Sequence, residues 1–360
     1  MPSTSELVAM RRAREVAADV LLADGPNPRV GCVILDAAGT VIAEGAHLGA
    51  GTPHAEVVAL RAAGDAARGG TAVVTLEPCN HTGRTGPCSE ALIRAGIARV
   101  VFAQPDPHAV ASGGAQRLRD AGIDIESEVE SDESRALNRE WSTAVSRGRP
   151  FVTWKVASTL DGRVAAADST SRWISGPDAR RDVHALRARC DAVVVGTGTV
   201  LADDPQLTVR DAPLPLTGQP LRVVVGLRDI PTSARVLDDS APTMVMRTRD
   251  VDEVIAALGD REVRHVMLEG GPTLAAAFLG AGLIDEVVWY VAPMVLGAGP
   301  SAVADFGTTT IAEGVRLGEV RVEQIGDDAR IVGQVQQREA HVHRDRRGTW
   351  TDHRGDEPAR

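Results

Sequence analysis

The chain has 360 residues, of which 43% are hydrophobic and 24% are charged, and this length exceeds what a single core usually fills. We therefore expect two globular domains rather than a disordered or fibrous chain. The formal net charge of −10 argues against a nucleic-acid surface, which is normally basic, although a few local arginines could still bind a small anion. No apolar run approaches the length of a membrane helix, and the N-terminus lacks the pattern of a secretory signal. Neither a nucleic-acid nor a membrane partner is expected.

The first 145 residues alternate between helical and strand patterns. Residues 6–22 carry apolar side chains at helical spacing, and a glycine and two prolines within 24–28 break that pattern. The elements predicted after this break are strands at 30–35 and 40–42, a helix at 56–67, a strand at 72–76, a helix at 89–95, a strand at 99–103 and a helix at 115–121. This alternation predicts a layered α/β domain over residues 1–145.

A second α/β pattern follows a junction, for which residues 146–150 are the predicted linker. The strands predicted in this half lie at 151–157, 192–195, 221–225, 243–246, 265–268 and 286–291. We place the second domain at 151–336. Residues 337–360 are polar and charged, which is typical of a disordered tail.

The four cysteines fall into two classes. Cys32 and Cys190 lie in or beside apolar runs, and we expect them to be buried free thiols. Cys79 and Cys88 each follow a proline and are candidates for metal binding. Free thiols suit the reducing cytoplasm better than a disulfide framework would, so we expect a cytoplasmic protein.

The strongest motif combines the tripeptide His-Ala-Glu at 54–56 with the two Pro-Cys elements that end at Cys79 and Cys88. One imidazole and two thiolates can hold Zn²⁺ and leave its fourth position to water. A His-x-Glu pair ahead of a Pro-Cys element is the pattern of zinc deaminases, in which the carboxylate moves protons. The sequence therefore predicts that His54 and the two cysteines bind zinc, and that Glu56 carries a proton from water to the departing amine.

Other interpretations of this motif remain open at this point. A structural zinc site normally has four protein ligands, and His81 could be the fourth, which would leave a zinc-stabilised binding module without catalysis. A deaminase of free nucleosides or tRNA with an accessory C-terminal domain is a further possibility. The acidic net charge and the eight residues between Cys79 and Cys88 count against it.

The second half has less explicit motifs. Its clearest element is the predicted strand 265–268, which runs into Gly270-Gly271-Pro272 and then a helical pattern. A helix N-terminus of this kind can bind phosphate, but on its own the segment is better explained as a simple strand–turn–helix joint. There is no Gly-x-Gly-x-x-Gly after the first strand, so a standard Rossmann domain is not expected. Lys155 is the single lysine of the chain, which makes it a candidate functional residue.

Three segments of the first half, at 26–34, 51–56 and 75–85, resemble the bifunctional deaminase/reductase of riboflavin biosynthesis. Most nucleoside and nucleic-acid deaminases have two residues between the cysteines, whereas the eight found here are similar to the riboflavin branch. The resemblance implies a cytidine-deaminase-like α/β/α domain. That domain would hydrolyse the 2-amino group of 2,5-diamino-6-(5-phosphoribosylamino)pyrimidin-4-one. Asn27 and His47 would help to hold the pyrimidine, and Asp106 would lie near the ribose-phosphate.

Four segments of the second half, at 155–163, 171–174, 199–210 and 269–272, are similar to the reductase domain of the same family. The resemblance implies a dihydrofolate-reductase-like α/β domain that uses NADPH to reduce the ribosyl group to ribityl. The residues that would contact NADPH are Ala157, Trp173, Thr199, Asp203, Gly271, Pro272, Thr273 and Leu274. The residues that would contact the substrate are Ser171, Arg187, Leu207, Arg210 and Glu269. Lys155 would assist hydride delivery by hydrogen bonding to the opening ribose oxygen.

The chain departs from the family pattern at three places. It has His108 where the family often has asparagine, Gly86 where it often has proline, and Gly226-Leu227 where it often has Asp-Ser. The resemblance also implies a homodimer or tetramer that is built on the reductase domain.

Overall fold

The computed structural model of the protein describes residues 1–83, 86–108 and 111–336. The predicted tail at 337–360 lies outside these residues. Within the described ranges, no helix has both the length and the apolar composition that a membrane crossing requires.

The first half of the chain folds around a five-stranded sheet. Its strands are β1 (Gly31–Leu35), β2 (Val41–Ala46), β3 (Thr71–Leu76), β4 (Arg99–Gln104) and β5 (Asp124–Glu126). The spatial order is β2-β1-β3-β4-β5, with β1 antiparallel to both of its neighbours and β3, β4 and β5 mutually parallel. Because β3 and β4 run in parallel, the loops that follow them meet at one edge of the sheet.

Helices cover both faces of this sheet. They are α1 (Thr4–Ala18), α2 (Ala55–Ala63), α3 (Cys88–Ala95), α4 (Gly114–Asp120), α5 (Ser131–Leu137) and α6 (Arg139–Arg147). Successive side chains of a strand point to opposite faces. Accordingly, Cys32 and Ile34 pack with α2 and α3, whereas Val33 and Leu35 pack against α1. The predicted α/β/α layers are confirmed.

Several element boundaries differ from the predictions. Helix α1 starts early because Ser3 caps it: the Ser3 hydroxyl accepts a hydrogen bond from the Glu6 N–H at 3.2 Å, and the Glu6 carboxylate accepts one from the Ser3 N–H at 2.6 Å. This helix ends at Ala18, before the predicted end at residue 22. Helix α2 ends at Ala63, followed by a 3₁₀ turn, because Gly64 adopts a left-handed φ of +57°.

The second half folds around an eight-stranded sheet. Its strands are β6 (Phe151–Thr159), β7 (Ala192–Gly196), β8 (Leu221–Val225), β9 (Thr243–Met246), β10 (His265–Leu268), β11 (Glu286–Ala292), β12 (Leu317–Ile325) and β13 (Asp328–Val335). The order is β12-β13-β11-β6-β10-β7-β8-β9, and the six strands from β11 to β9 are parallel. These are the six predicted strands, whereas the antiparallel hairpin of β12 and β13 was not predicted.

Four α-helices accompany this sheet in the described part of the chain: α7 (Pro177–Arg189), α8 (Thr197–Asp203), α9 (Val251–Gly259) and α10 (Pro272–Gly280). Alternate residues of the central strands again pack into two hydrophobic cores, one on each face of the sheet. Val194 packs with α9 and α10, and its neighbours Val193 and Val195 pack with α7 and α8. Cys32 and Cys190 are buried and free, as predicted.

Buried polar groups join the two halves. The Asp24 carboxylate lies 2.8 Å from His265 Nδ1, and both side chains are at most 5% exposed. The Gly25 N–H donates to Asp191 at 3.0 Å, and the Leu216 N–H donates to the Leu21 carbonyl at 2.9 Å. These contacts hold the loop before β1 against the second sheet.

Candidate active sites

Two helix starts and one loop bring the predicted zinc ligands together. His54 immediately precedes α2, and Glu56 lies in the first turn of that helix. Cys88 is the first residue of α3, and Cys79 lies on the loop after β3. Helix N-termini carry partial positive charge, which favours a thiolate at Cys88.

The three side chains form one compact cluster. Cys79 Sγ lies 3.5 Å from His54 Nδ1, and Cys88 Sγ lies 3.2 Å from the same nitrogen. All three potential ligand atoms are within 4.8 Å of one another. Ligands at zinc-bond length in a tetrahedron are separated by about 3.5 Å, so the donor set and its spacing fit a zinc ion. His81 is not part of this group among the described residues, which disfavours the four-ligand structural site.

The electrostatics of the cluster suit a cation. The pKa of Cys79 is lowered, chiefly by a hydrogen bond from the Cys88 thiol, and the same contact raises the pKa of Cys88. Two sulfurs that share a proton in this way can both become thiolates when a divalent cation replaces that proton. Glu56 is 3% exposed, and burial raises its pKa to about 7.

A cavity of about 480 Å³ opens onto this cluster. Asn27, His47 and Glu56 line it together with two of the three metal-ligand residues, whereas Cys88 lies behind the wall and is fully buried. Asn27 Nδ2 lies 3.0 Å from His47 Nε2, and His47 Nδ1 lies 3.2 Å from the Pro53 carbonyl. This pairing fits a neutral imidazole that donates from Nδ1 and accepts at Nε2, in agreement with the burial that lowers the His47 pKa.

Asp106 lies in the cavity wall on the loop after β4. Its carboxylate accepts a hydrogen bond from the His108 N–H at 2.8 Å, and burial raises its pKa to about 6. Glu77 was not predicted as a site residue, yet its carboxylate accepts from the Asp106 N–H at 3.3 Å and from the Ala115 N–H at 2.9 Å. Glu77 therefore ties the loops after β3 and β4 together. Its position next to Pro78-Cys79 was the only sequence signal.

Gly114 holds the cysteine loop in place from behind. It starts α4, and a Cβ at this position would lie 1.6 Å from the Pro78 carbonyl oxygen. No side chain fits in that space, so glycine is required for the loop that carries Cys79 to approach α4.

The departure at Gly86 is different, because a Cβ there would meet nothing within 4 Å. Arg84 and Thr85 of the family-like segment lie outside the described residues.

The second site is centred on Lys155. This residue lies on β6 with 19% of its side chain exposed, and its Nζ is 3.7 Å from Glu269 Oε1. Arg187 of α7 donates to the other Glu269 oxygen at 2.7 Å. Burial lowers the pKa of Lys155. Burial alone would raise the pKa of Glu269, but the charges of Arg187 and Lys155 hold it below its usual value.

The predicted substrate arginines lie beside this ion cluster. Arg187 Nη1 donates to the Thr208 carbonyl at 2.6 Å, and Arg210 Nη1 donates to the Thr208 hydroxyl at 3.0 Å. His184, which was not predicted, accepts from the Arg210 N–H at 3.3 Å and lies 3.4 Å from Arg187 Nη1. Burial lowers the His184 pKa, and so does the charge of Arg187. A sequence signal did exist, because His184 and Arg187 are three residues apart on one helix face.

The predicted cofactor residues lie on four segments: β6, the loop before α7, α8 and the start of α10. Ser171 donates to Asp203 at 3.0 Å, and the Trp173 ring is 65% exposed with the Arg180 guanidinium 4.5 Å from its centroid. Ala157 lies two residues after Lys155 and so on the same face of β6. Thr199 lies on α8 opposite Gly271, at whose position a Cβ would be 3.6 Å from the Thr199 hydroxyl.

The turn from Gly271 to Leu274 forms the N-terminus of α10. Gly271 is the N-cap, Pro272 and Thr273 follow, and no side chain caps the first N–H groups of this helix. An uncapped helix start with a proline in its first turn fits the phosphate groups of a dinucleotide.

Arg222 was missed by sequence reasoning although it supports the loop that carries the predicted substrate residues Leu207 and Arg210. It is fully buried on β8, and its Nη1 donates to the Gln206 carbonyl at 3.3 Å and to Asp238 at 2.8 Å. Leu207, the residue after Gln206, is 5% exposed and adopts a left-handed φ of +57°, which is rare for a bulky side chain. The buried guanidinium therefore helps to fix the backbone that presents Leu207 and Arg210.

Comparison with protein families gives two matches in the same order as the two sheets. Residues 3–104 match the cytidine and deoxycytidylate deaminase zinc-binding region, and residues 150–331 match the RibD C-terminal domain. The predicted cytidine-deaminase-like domain followed by a reductase domain is thus confirmed.

Individual relatives match across both halves. The riboflavin biosynthesis protein RibD of Mycobacterium tuberculosis is 52% identical over 305 residues, which cover 84% of this chain and 89% of that protein. The Escherichia coli RibD is 38% identical over 354 residues, which cover 89% of this chain and 96% of that protein.

Solved structures agree with these relatives. Acinetobacter baumannii RibD superposes with a TM-score of 0.85 at 39% identity, covering 92% of this chain and 99% of that chain. A Thermotoga maritima diaminohydroxyphosphoribosylaminopyrimidine deaminase/5-amino-6-(5-phosphoribosylamino)uracil reductase superposes with a TM-score of 0.80 at 32% identity, with the same coverage. A nucleoside or tRNA deaminase with an unrelated accessory domain does not account for matches that span both halves. The chain belongs to the RibD family of riboflavin biosynthesis and carries both of its parts, the zinc deaminase domain and the reductase domain.

Proposed function

We propose that this chain catalyses two successive steps of riboflavin biosynthesis. The first is hydrolytic deamination of 2,5-diamino-6-(5-phosphoribosylamino)pyrimidin-4-one, and the second is NADPH-dependent reduction of the ribosyl side chain to ribityl. The observation that carries the proposal is the cluster of His54, Cys79 and Cys88 at a cavity that also holds Glu56 and the Asn27–His47 pair. This proximity supports the proposal of a metal-binding set, a proton carrier and heterocycle-binding groups in one space.

In the first step, His54, Cys79 and Cys88 would hold a zinc ion, which would supply the Lewis acidity that lowers the pKa of a water molecule. Glu56 takes up the proton of the attacking water and passes it to the departing 2-amino group, which leaves as ammonia. Asn27 and the neutral His47 bind the polar edge of the pyrimidine. Asp106 lies near the ribose-phosphate.

In the second step, the reductase domain would hold NADPH, which would supply the hydride for C1′ of the ribose as the bond between C1′ and the ring oxygen breaks. Lys155 hydrogen bonds to that oxygen, which takes up a proton from water and becomes a hydroxyl. Glu269 and Arg187 hold Lys155 in place, and Arg187 and Arg210 suit the substrate phosphate because a guanidinium matches phosphate oxygens.

Ser171 and Leu207 complete the proposed substrate contacts. On the cofactor side are Ala157, Trp173, Thr199, Asp203 and the turn of Gly271, Pro272, Thr273 and Leu274. We assign the deaminase domain to 1–145, the linker to 146–150 and the reductase domain to 151–336. We further propose that the protein works in the cytoplasm as a homo-oligomer formed through the reductase domain.

The experiment that tests this function supplies the purified chain with the diaminopyrimidine phosphate, zinc and NADPH, and follows ammonia and NADPH separately. We expect release of one ammonia and oxidation of one NADPH per substrate molecule. Release of ammonia from cytidine but not from the diaminopyrimidine phosphate would contradict the proposed deaminase. Ammonia release without NADPH oxidation would contradict the proposed reductase.

A further inference from the structure

The cavity of the deaminase domain is not lined by that domain alone. Arg264, which immediately precedes β10 of the second sheet, lies in its wall together with Glu262. The second domain therefore contributes side chains to the cavity that contains Glu56 and opens onto the metal cluster.

The backbone of Arg264 is fixed in this position from two sides. Its N–H donates to Asp191 at 2.8 Å, and its carbonyl accepts from the Phe151 N–H at 2.7 Å. The other oxygen of Asp191 accepts from the Gly25 N–H at 3.0 Å. A Cβ at Gly25 would lie 3.0 Å from the Arg264 Cβ, so the arginine side chain starts directly against the loop that leads to Asn27.

The charge of the cavity gives this arginine a role. Four carboxyl groups lie in its wall, on Glu56, Glu77, Asp106 and Glu262. Among the described lining residues, Arg264 is the single arginine or lysine. A dianionic phosphate that enters this cavity would be stabilised by a guanidinium in its wall.

The Nε atom of Arg264 is available for such a partner. Its Nε is buried and has no hydrogen-bond partner among the described residues. His81 Nδ1 and His108 Nδ1, from the same cavity wall, are likewise buried without a partner within the described ranges. Buried polar groups are normally hydrogen-bonded, so an unpartnered set on one cavity is a mark of a ligand site.

We propose that Arg264 of the reductase domain binds the phosphate of the deaminase substrate and sets the preference of the deaminase for phosphorylated over unphosphorylated pyrimidine ribosides. This inference rests on the proposed function. It adds that the first active site is complete only when the second domain is docked against it.

The test compares the parent chain with Arg264→Met, using the zinc-loaded full-length protein in both cases. Ammonia release is followed with the diaminopyrimidine ribosyl phosphate and with the same compound lacking its phosphate. We expect the ratio of the two kcat/KM values to fall about tenfold or more in Arg264→Met, mostly through KM, because a hydrogen bond to a charged group is lost. Inorganic phosphate should also inhibit the variant more weakly than it inhibits the parent.

Two further variants control this result. Arg261→Met removes an exposed guanidinium three residues away, which donates to the Ala257 carbonyl at 3.0 Å, and should leave the ratio unchanged. NADPH oxidation with the deaminated substrate reports whether Arg264→Met is folded; if that activity is lost, Arg264→Gln takes its place in the same assay.

The outcomes separate this inference from the proposed function. If the parent chain does not deaminate the phosphorylated pyrimidine, the proposed function itself is contradicted. An active parent whose substrate ratio is unchanged in a folded Arg264→Met or Arg264→Gln overturns the role of Arg264 alone.

Discussion

The predicted zinc ligands of the first domain and the ion-paired residues around Lys155 in the second domain are spread very differently along the chain. His54, Cys79 and Cys88 lie within 35 residues of one another, whereas Lys155, Arg187 and Glu269 span more than 100. The first cluster depends on short motifs at helix starts and one loop. The second is assembled by neighbouring parallel strands, since Lys155 lies on β6 and Glu269 directly follows β10.

This difference explains how each site can be recognised. A short spacing of metal ligands is meaningful by itself, because few arrangements other than a metal site place these residue types so close together. A lysine, an arginine and a glutamate far apart in sequence become a site only after the sheet is formed. The comparison also predicts that the two chemistries can be removed separately, which the following variants test.

The largest effect is expected for Glu56→Gln. Loss of the proposed proton carrier should lower deaminase kcat by about 10³-fold, because general acid–base catalysis of this kind contributes about 10²- to 10⁴-fold. Zinc content should stay at the parent level, since Glu56 is not in the ligand cluster. Ammonia release and metal analysis measure the two quantities, and loss of zinc together with activity would show that Glu56 acts on the metal site instead.

Lys155→Met should have the reverse effect of Glu56→Gln: it should lower the reductase activity and leave the deaminase activity unchanged. We expect NADPH oxidation with the deaminated substrate to fall by about 100-fold, because the hydrogen bond to the ribose oxygen is lost. Ammonia release should be unchanged. Equal NADPH turnover by the variant and the parent would contradict the role of Lys155.

Gly114→Ala tests whether packing behind the cysteine loop holds the metal site. The added methyl group would meet the Pro78 carbonyl, so the loop must shift, at a cost of about 3 kcal/mol in the free energy of unfolding. Zinc affinity should fall while NADPH oxidation persists. Gly86→Ala is the matched control because it adds the same group in open space on the same loop; equal zinc affinity in both variants would exclude the packing role.

Asp24→Asn probes the contact that joins the two regions, and its effect should depend on pH. Burial opposes charge on both partners, yet the pKa of His265 is raised well above 6.5 and that of Asp24 is lowered below 3.8 by their mutual contact and nearby charges. The His265 contribution is complete below pH 6.5 and is lost as pH rises through its folded pKa. The Asp24 contribution is present above pH 3.8 and is lost as pH falls through its folded pKa.

The stability difference between the parent and Asp24→Asn should therefore be greatest between about pH 4 and 6.5, at roughly 2 kcal/mol. It should shrink as the solution becomes alkaline. Urea unfolding midpoints at pH 5.5, 7.5 and 9.5, with Asp19→Asn at the end of α1 as a control, measure the difference. A difference that grows towards alkaline pH would contradict the ion pair.

Much of the fold could be predicted because apolar periodicity marks the central strands. Strands β6, β7, β8, β10 and β11 of the second sheet are largely runs of valine and other apolar residues that are mostly buried on both faces, whereas β9 at the sheet edge is partly exposed. Helix α5 was missed because Ser131–Leu137 has only one buried residue and hence no apolar stripe. Helix α6 was not predicted, and its last two residues fall in the predicted linker, although Trp141 and Ala144 are buried at helical spacing.

The parts of the sites that could not be predicted depend on distant contacts. In the sequence, Arg222 is a charged residue that interrupts an apolar strand. Its support of the loop at Gln206 is visible only in the fold, where it donates a hydrogen bond to the Gln206 carbonyl. Asp24 and His265 are 241 positions apart, and neither has a local pattern that marks it. Arg264 likewise belongs to one domain in sequence and to the cavity of the other in space.

The most direct test of two separate active sites on one chain is a paired assay of ammonia and NADPH with the parent, Glu56→Gln and Lys155→Met. We expect both signals from the parent and ammonia alone from Lys155→Met. For Glu56→Gln we expect neither signal on the diaminopyrimidine phosphate, but normal NADPH oxidation on the deaminated compound. Loss of ammonia release in a folded Lys155→Met, or loss of NADPH oxidation on the deaminated compound in a folded Glu56→Gln, would contradict two separate active sites.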